Sequence, residues 1–233
     1  ADVASATDRL RHSWRQGQGK HSALLDDYAN MARAGIALHE ATGAQAPLRQ
    51  AEAWVALLNR HYWDPANGGY FFTADDAESL IARTRGCTDN AVPAGNGTML
   101  AVLARLFHLT GDTAYAQRAE ALKQAFAGEL ARNFFPLGTF LNGAELLHMA
   151  VQVAIVGRRG EAATDALLRA AVTQSAPNRI LMVVAPDAEL PALHPAHGKR
   201  QVDGRATAYV CIGTTCSLPI TDPAAVAAAM RQT

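Results

Sequence analysis

The chain has 233 residues, of which 49% are hydrophobic, 18% charged and 6% aromatic. Lysine plus arginine and aspartate plus glutamate stand at 21 each, so the formal net charge is zero, which excludes nucleic-acid binding driven by overall charge. No apolar run approaches the roughly 18 residues of a membrane span, so neither nucleic acid nor membrane is expected as a partner. Three cysteines are too few for a disulfide scaffold and point to a reducing compartment, the cytoplasm. The opening ADVASATDRL lacks methionine and an apolar signal core, so the expectation is either that an upstream part has been removed or that the chain begins inside a longer protein.

In chain order, a first helix is expected over 3–15, with Val3, Leu10 and Trp14 apolar. Residues 27–41 set Tyr28, Met31, Ala32, Gly35 and Leu38 on one helical stripe. Asp26 and Asp27 mark its start and Gly43 its end. Pro47 opens the return helix, 47–61. TGAQAPLRQAEA at 42–53 matches TGDTAYAQRAEA at 110–121, an offset of 68 residues. The second copy predicts helices over 96–109 and 113–127, and another is expected over 142–150. A repeated helix, turn and helix suggests α-hairpins stacked side by side, although five to six helices are too few to close a ring.

The connection 62–95 is long, and long loops in compact domains are often functional. Within it, YFFT and LIART predict a small β-hairpin. Topology sets this segment on the same face as Asp26, Asp27 and Tyr28, since it leads into the next inner helix. The last third changes character. VQVAIVG (151–157), RILMVVA (179–185) and TAYVCIG (207–213) read as buried strands, with a helix over 161–174 making a β–α–β crossover. Residues 186–206 read as a loop and 222–231 as a short helix. The expected fold is therefore mainly α, with a toroid-like helical segment over 1–150 and a small α/β portion over 151–233.

The shared rim gathers Asp26, Asp27, Asp64, Asp75, Asp76 and Asp89 with Arg83 and Arg85, and with the rings of Tyr28, Trp63 and Tyr70. Carboxylates acting as acid and base, beside aromatic faces, suit sugar chemistry. The plainer alternative makes the aspartates caps and turn residues, with the arginines neutralising them. Asn96, at the start of an inner helix, is either a polar contact or a cap. His61, beside Tyr62 and Trp63, is the best-placed imidazole base, and no histidine spacing predicts a metal site. Cys211 and Cys216 form C-x4-C, open to a disulfide, a buried thiol pair or a zinc site with His194 and His197. Gly157-Arg158-Arg159-Gly160 offers a phosphate-binding turn without the full glycine pattern.

LLDDYA (24–29), HEATG (39–43), NGGYFFT (67–73), RTRGCTDNAVPAGNGTML (83–100), LTGDTAY (109–115), VAIVG (153–157) and TAYVC…C (207–216) occur in order. Together they resemble the C-terminal part of the YyaL and spermatogenesis-associated protein 20 family, which contains thioredoxin-like domains. The resemblance implies part of an (α/α)6 toroid, similar to six-hairpin glycosidases and N-acylglucosamine 2-epimerases, with the redox domain and first hairpins outside this chain. Two departures stand out: Ala94 and Gly97 replace the serines of a PSGNS pattern, and Arg85 stands where lysine is expected.

The leading expectation is a groove for a small sugar or polyol, with hydrolysis or epimerisation as the reaction and no cofactor. Asp26, Asp27 and Asp89 would be its acid–base residues, and Tyr28, His61, Trp63, Tyr70, Arg83 and Asn96 its substrate contacts. Cys211 and Cys216 are redox candidates. A groove holding one carboxylate would end the enzymatic version. The alternative is a non-catalytic helical scaffold for the redox domain, favoured if the groove is filled by its own rings. Faces left open by missing repeats predict self-association or docking of the rest of the protein.

Overall fold

The computed structural model describes residues 9–78 and 81–231. A β-hairpin comes first, β1 (Arg11–Arg15) and β2 (Gln18–Ser22), antiparallel. Gln16 and Gly17 both have positive φ, the geometry of a two-residue turn whose twist suits a hairpin. The helix expected over 3–15 is therefore corrected: residues 11–15 are extended, and Val3 lies outside the described residues. The hairpin is anchored by Leu10, whose amide donates to the Tyr28 hydroxyl at 3.0 Å.

Six helices follow: α1 (Leu25–Thr42), α2 (Gln45–His61), α3 (Gly95–Thr110), α4 (Thr113–Ala125), α5 (Ala127–Arg132) and α6 (Gly138–Met149). α1 packs on α2 and α3, and α3 packs on α4 and α6. The small stripe of α1 does what its residues allow: a Cβ on Gly35 would stand 2.8 Å from the Pro47 carbonyl of α2. The repeat survives in backbone detail, since Gly43 and Gly111 end α1 and α3 with φ 77° in the left-handed region. α6 starts four residues before its expected position because the distant Asp89 carboxylate accepts from the Thr139 amide at 2.7 Å. That anchor satisfies an orphan amide that sequence pattern cannot see.

The C-terminal third forms a four-stranded sheet in the order β4-β3-β5-β6. Its strands are β3 (Val151–Val156), β4 (Arg179–Val184), β5 (Thr207–Ile212) and β6 (Thr215–Cys216), with α7 (Ala162–Val172) and α8 (Pro223–Arg231). β3 and β4 are parallel through α7, as the sequence predicts, and β5 joins β3 antiparallel. Alternation along the strands feeds two cores. Ala154, Ile180 and Met182 join the helical core, whereas Val153, Ile155, Leu181 and Val210 pack beneath α7 and α8. The sheet is thus a layer between the inner helices and a second pair of helices, and apolar packing continues across residue 150.

These two sheets, six strands in all among the described residues, correct the mainly-α class to a mixed helix–sheet fold. The physical reason is that the four-stranded sheet is a packed layer shared by two apolar cores, while the largely exposed N-terminal hairpin adds two further strands. The strand pair expected from YFFT and LIART is also corrected. Leu80 lies outside the described residues, and the described part of the loop has an isolated Trp63–Tyr70 bridge and a Phe72-to-Thr84 backbone bond of 2.8 Å instead of a ladder.

Candidate functional site

The starts of α1, α3 and α6 meet at one rim. Asp26, in the first turn of α1, accepts a hydrogen bond from the Gly95 amide at the start of α3. Asp89 accepts from the Ala94 amide at 2.9 Å and from Thr139 at the start of α6. The carboxylates therefore sit where helix dipoles and free amides favour negative charge. Between α1, α3 and the 62–94 loop lies a groove of about 280 Å³, lined among others by Asp26, Phe72, Thr84, Arg85, Thr88 and Gly95. Burial raises the pKa of Asp26 above the ordinary carboxylate value, against the lowering effect of the Gly95 amide and with added repulsion from Asp27.

Arg85 also lines the groove. Its Nη1 bonds Asp64 Oδ2 at 3.0 Å and donates to the Gly68 carbonyl. Its other guanidinium nitrogens make no hydrogen bond among the described residues. Asp64 is buried; burial alone would raise its pKa, but the Asn67 side chain, the Ala66 and Asn67 amides and Arg85 hold it low. The groove lining thus includes a carboxyl group that is costly to ionise, a guanidinium held by Asp64 and Gly68, and two exposed threonines.

The other predicted residues are held by the fold. Asp27 Oδ2 accepts from the Leu24 amide at 2.7 Å and lies 2.9 Å from His12 Nδ1. Tyr28, 1% exposed, packs edge-on against Tyr62, and Tyr70, 0% exposed, donates to Asn59 at 2.6 Å. Neither offers a free face for stacking. Asn96, 1% exposed, accepts from the Tyr70 amide at 2.8 Å and donates to the Tyr70 and Gly86 carbonyls at 2.9 Å each. Arg83 donates to the Thr73 and His61 carbonyls and lies over the Phe71 ring. Trp63 stacks edge-on with Tyr70 and carries Arg118 on its face. Residues two apart on an extended segment share a side, so spacing does not separate Arg83 from Arg85; only the tertiary contacts, which occupy Arg83 and leave Arg85 lining the groove, do so.

His61 lies away from the groove lining. Its Nδ1 stands 2.9 Å from Asp75 Oδ1 and 3.5 Å from Asp76 Oδ2. These three donors suit a divalent transition metal by type, but Arg9 pairs with Asp76 at 2.5 Å, and a cation would have to displace it. Cys211 and Cys216 are directly opposite on β5 and β6 and form a disulfide, which removes both thiolates from any zinc set with His194 and His197. Cys87 is free and buried, and burial together with Glu129 pushes its thiol up to about 12. Arg158 and Arg159 are engaged by Asp187 and by the Ala41 and Glu40 carbonyls, which occupies the Gly157–Gly160 turn.

The ordered motifs and three aligned helix starts agree with what sequence comparison finds. The chain is similar to spermatogenesis-associated protein 20. It is 30% identical to the human protein over 95% of its own length, but it spans only 30% of that protein. The mouse protein is 29% identical over 86% of the chain and 26% of the relative. An uncharacterized Caenorhabditis elegans protein is 23% identical over 88% and 28%. No family model matches the chain. These relatives support the family identified from the motifs, and the chain spans less than a third of the length of each.

Proposed function

We propose that the helical hairpins of this mixed fold are part of an (α/α) toroid, similar to six-hairpin glycosidases, whose inner-helix rim binds a sugar or related polyol. The observation that carries the reading is the groove between Asp26 and Arg85. A carboxyl with a raised pKa donates or accepts at a sugar hydroxyl, a guanidinium fixes a second oxygen, and Phe72 supplies an apolar edge. Asp26 is the only carboxylate among the described groove-lining residues. Glycoside hydrolysis needs two carboxyl groups about 5–10 Å apart, so the reading for this chain is binding, and catalysis would need a partner group from the rest of a longer protein. The Cys211–Cys216 disulfide runs against the reducing, cytoplasmic compartment expected from the cysteine count.

The test is a ligand-observed NMR screen of mono- and disaccharides against the wild type and Asp26→Asn. Binding to the wild type that weakens in the variant supports the groove; no binder, or equal binding by both, removes it. Asp89→Asn would be a poor probe, because Asp89 holds two helix starts. A specific observation favours a second reading, a non-catalytic scaffold for a thioredoxin-like redox domain: Tyr28, Tyr62 and Tyr70 are turned into the core, so much of the rim is filled by its own rings. Calorimetric titration with a thioredoxin-like domain from a longer relative separates the two. The exposed Met31 and Leu38 on α1 also fit self-association or docking of further hairpins.

A further inference from the structure

A second cavity, of about 660 Å³, lies beyond the C-terminal end of β4, between Val184–Leu190 and the Ala196–Gly204 stretch of the long loop. Open α/β sheets bind ligands outside the carboxyl ends of their strands, and the volume is that of a small-molecule site. The charges around it are unequally matched. Asp187 is paired with Arg158 at 2.9 Å, and Asp203 lies 3.7 Å from Arg205. Lys199 and Arg200 line the cavity and form no ion pair among the described residues. Lys199 is partly buried and donates to the Pro195 carbonyl at 2.8 Å, with the Tyr209 ring 5.7 Å away. Both neighbours are neutral. Burial lowers its pKa with no carboxylate opposing the shift. The loop carrying these cations is fixed, since Tyr209 donates to the Arg200 carbonyl at 2.7 Å. Glu189, the only carboxylate of the lining, is exposed.

We propose that this cavity binds a compact organic dianion, a phosphate ester or a dicarboxylate, through Lys199 and Arg200. The lysine supplies a point charge and the arginine a planar fork for two oxygens. The remaining volume accommodates a small organic body, and Glu189 accepts from its hydroxyl groups. This site is separate from the Asp26 groove and does not depend on its reading.

Isothermal titration of the full chain with phenyl phosphate and with malonate tests it. One of the two probes is expected to bind at millimolar concentration, and the one that does identifies the anion's source. Lys199→Met and Arg200→Gln are each expected to weaken binding by about tenfold, the loss of one charge-assisted hydrogen bond, with Asp26→Asn unchanged. Amide shifts on adding the bound probe to isotope-labelled wild type should cluster at 184–204, which keeps the test valid if a variant folds poorly. Silence with both probes, or shifts centred elsewhere, overturns the proposal.

Discussion

At the scale of single residues, Asn96 illustrates how a side chain suited to ligand contact is used up by the fold. Its amide makes three hydrogen bonds to the loop backbone, so Asn96→Ala leaves a buried amide and two carbonyls short of a partner. Its expected cost is about 3 kcal/mol, read from urea unfolding. Asp26 behaves differently because its folded pKa is raised. The folded state then holds the proton more tightly than the unfolded chain, so its stabilising contribution is complete below the ordinary carboxylate range and is lost as pH rises through the raised value. Asp26→Asn keeps an acceptor for the Gly95 amide and cannot ionise. Its urea midpoint relative to wild type should therefore rise as pH increases upward from the ordinary carboxylate range; a constant difference would contradict the raised pKa. The chemistry-bearing letters were legible in the sequence. Their hydrogen-bond partners were not, because those partners lie far along the chain, 50 residues away in the case of Thr139 and Asp89.

At the scale of elements, the two repeat copies share a cap but not its surroundings. A Cβ on Gly43 would meet the Arg159 side chain at 2.8 Å, which can move, whereas one on Gly111 would run into the Leu193 carbonyl. Both positions have positive φ, so alanine costs about 1 kcal/mol of backbone strain at each. At Gly111 the fixed carbonyl adds a further 1–3 kcal/mol or so of overpacking. Thermal unfolding should rank Gly111→Ala well below Gly43→Ala. The helices of the repeat were readable because their apolar stripes and glycine stops are local. The N-terminal hairpin was misread as helix: Leu10 and Trp14 fit a helical spacing, while the deciding feature is the Gln16–Gly17 turn and its pairing with 18–22.

For the whole molecule, a part-buried polar network adds to the apolar packing between the helical and sheet layers. Glu40 of α1 accepts from Arg105 of α3 at 2.9 Å and from the Leu181 amide of β4 at 3.0 Å. Arg105 also donates to the Arg179 carbonyl at 3.1 Å. Glu40→Ala removes the ion pair of Arg105, which keeps the Arg179 carbonyl, and leaves the Leu181 amide without its acceptor, so it should cost about 2 kcal/mol. Hydrogen exchange should show protection lost in both α3 and β4, whereas loss confined to α1 would mean that the layers are held by apolar packing alone.

Local chemistry in the sequence determined the helical hairpins, their 68-residue repeat, the β–α–β crossover and the gathering of aspartates at one rim, because periodicity, capping and chain direction act over short distances. Only the tertiary structure decided which of those aspartates faces a groove, that Tyr28 and Tyr70 face the core, and that the sheet is a full layer of a mixed fold. Those outcomes depend on which surfaces meet. Burial then assigns one polar group to a neighbour, leaves another open to solvent, and sets the cost of its charge.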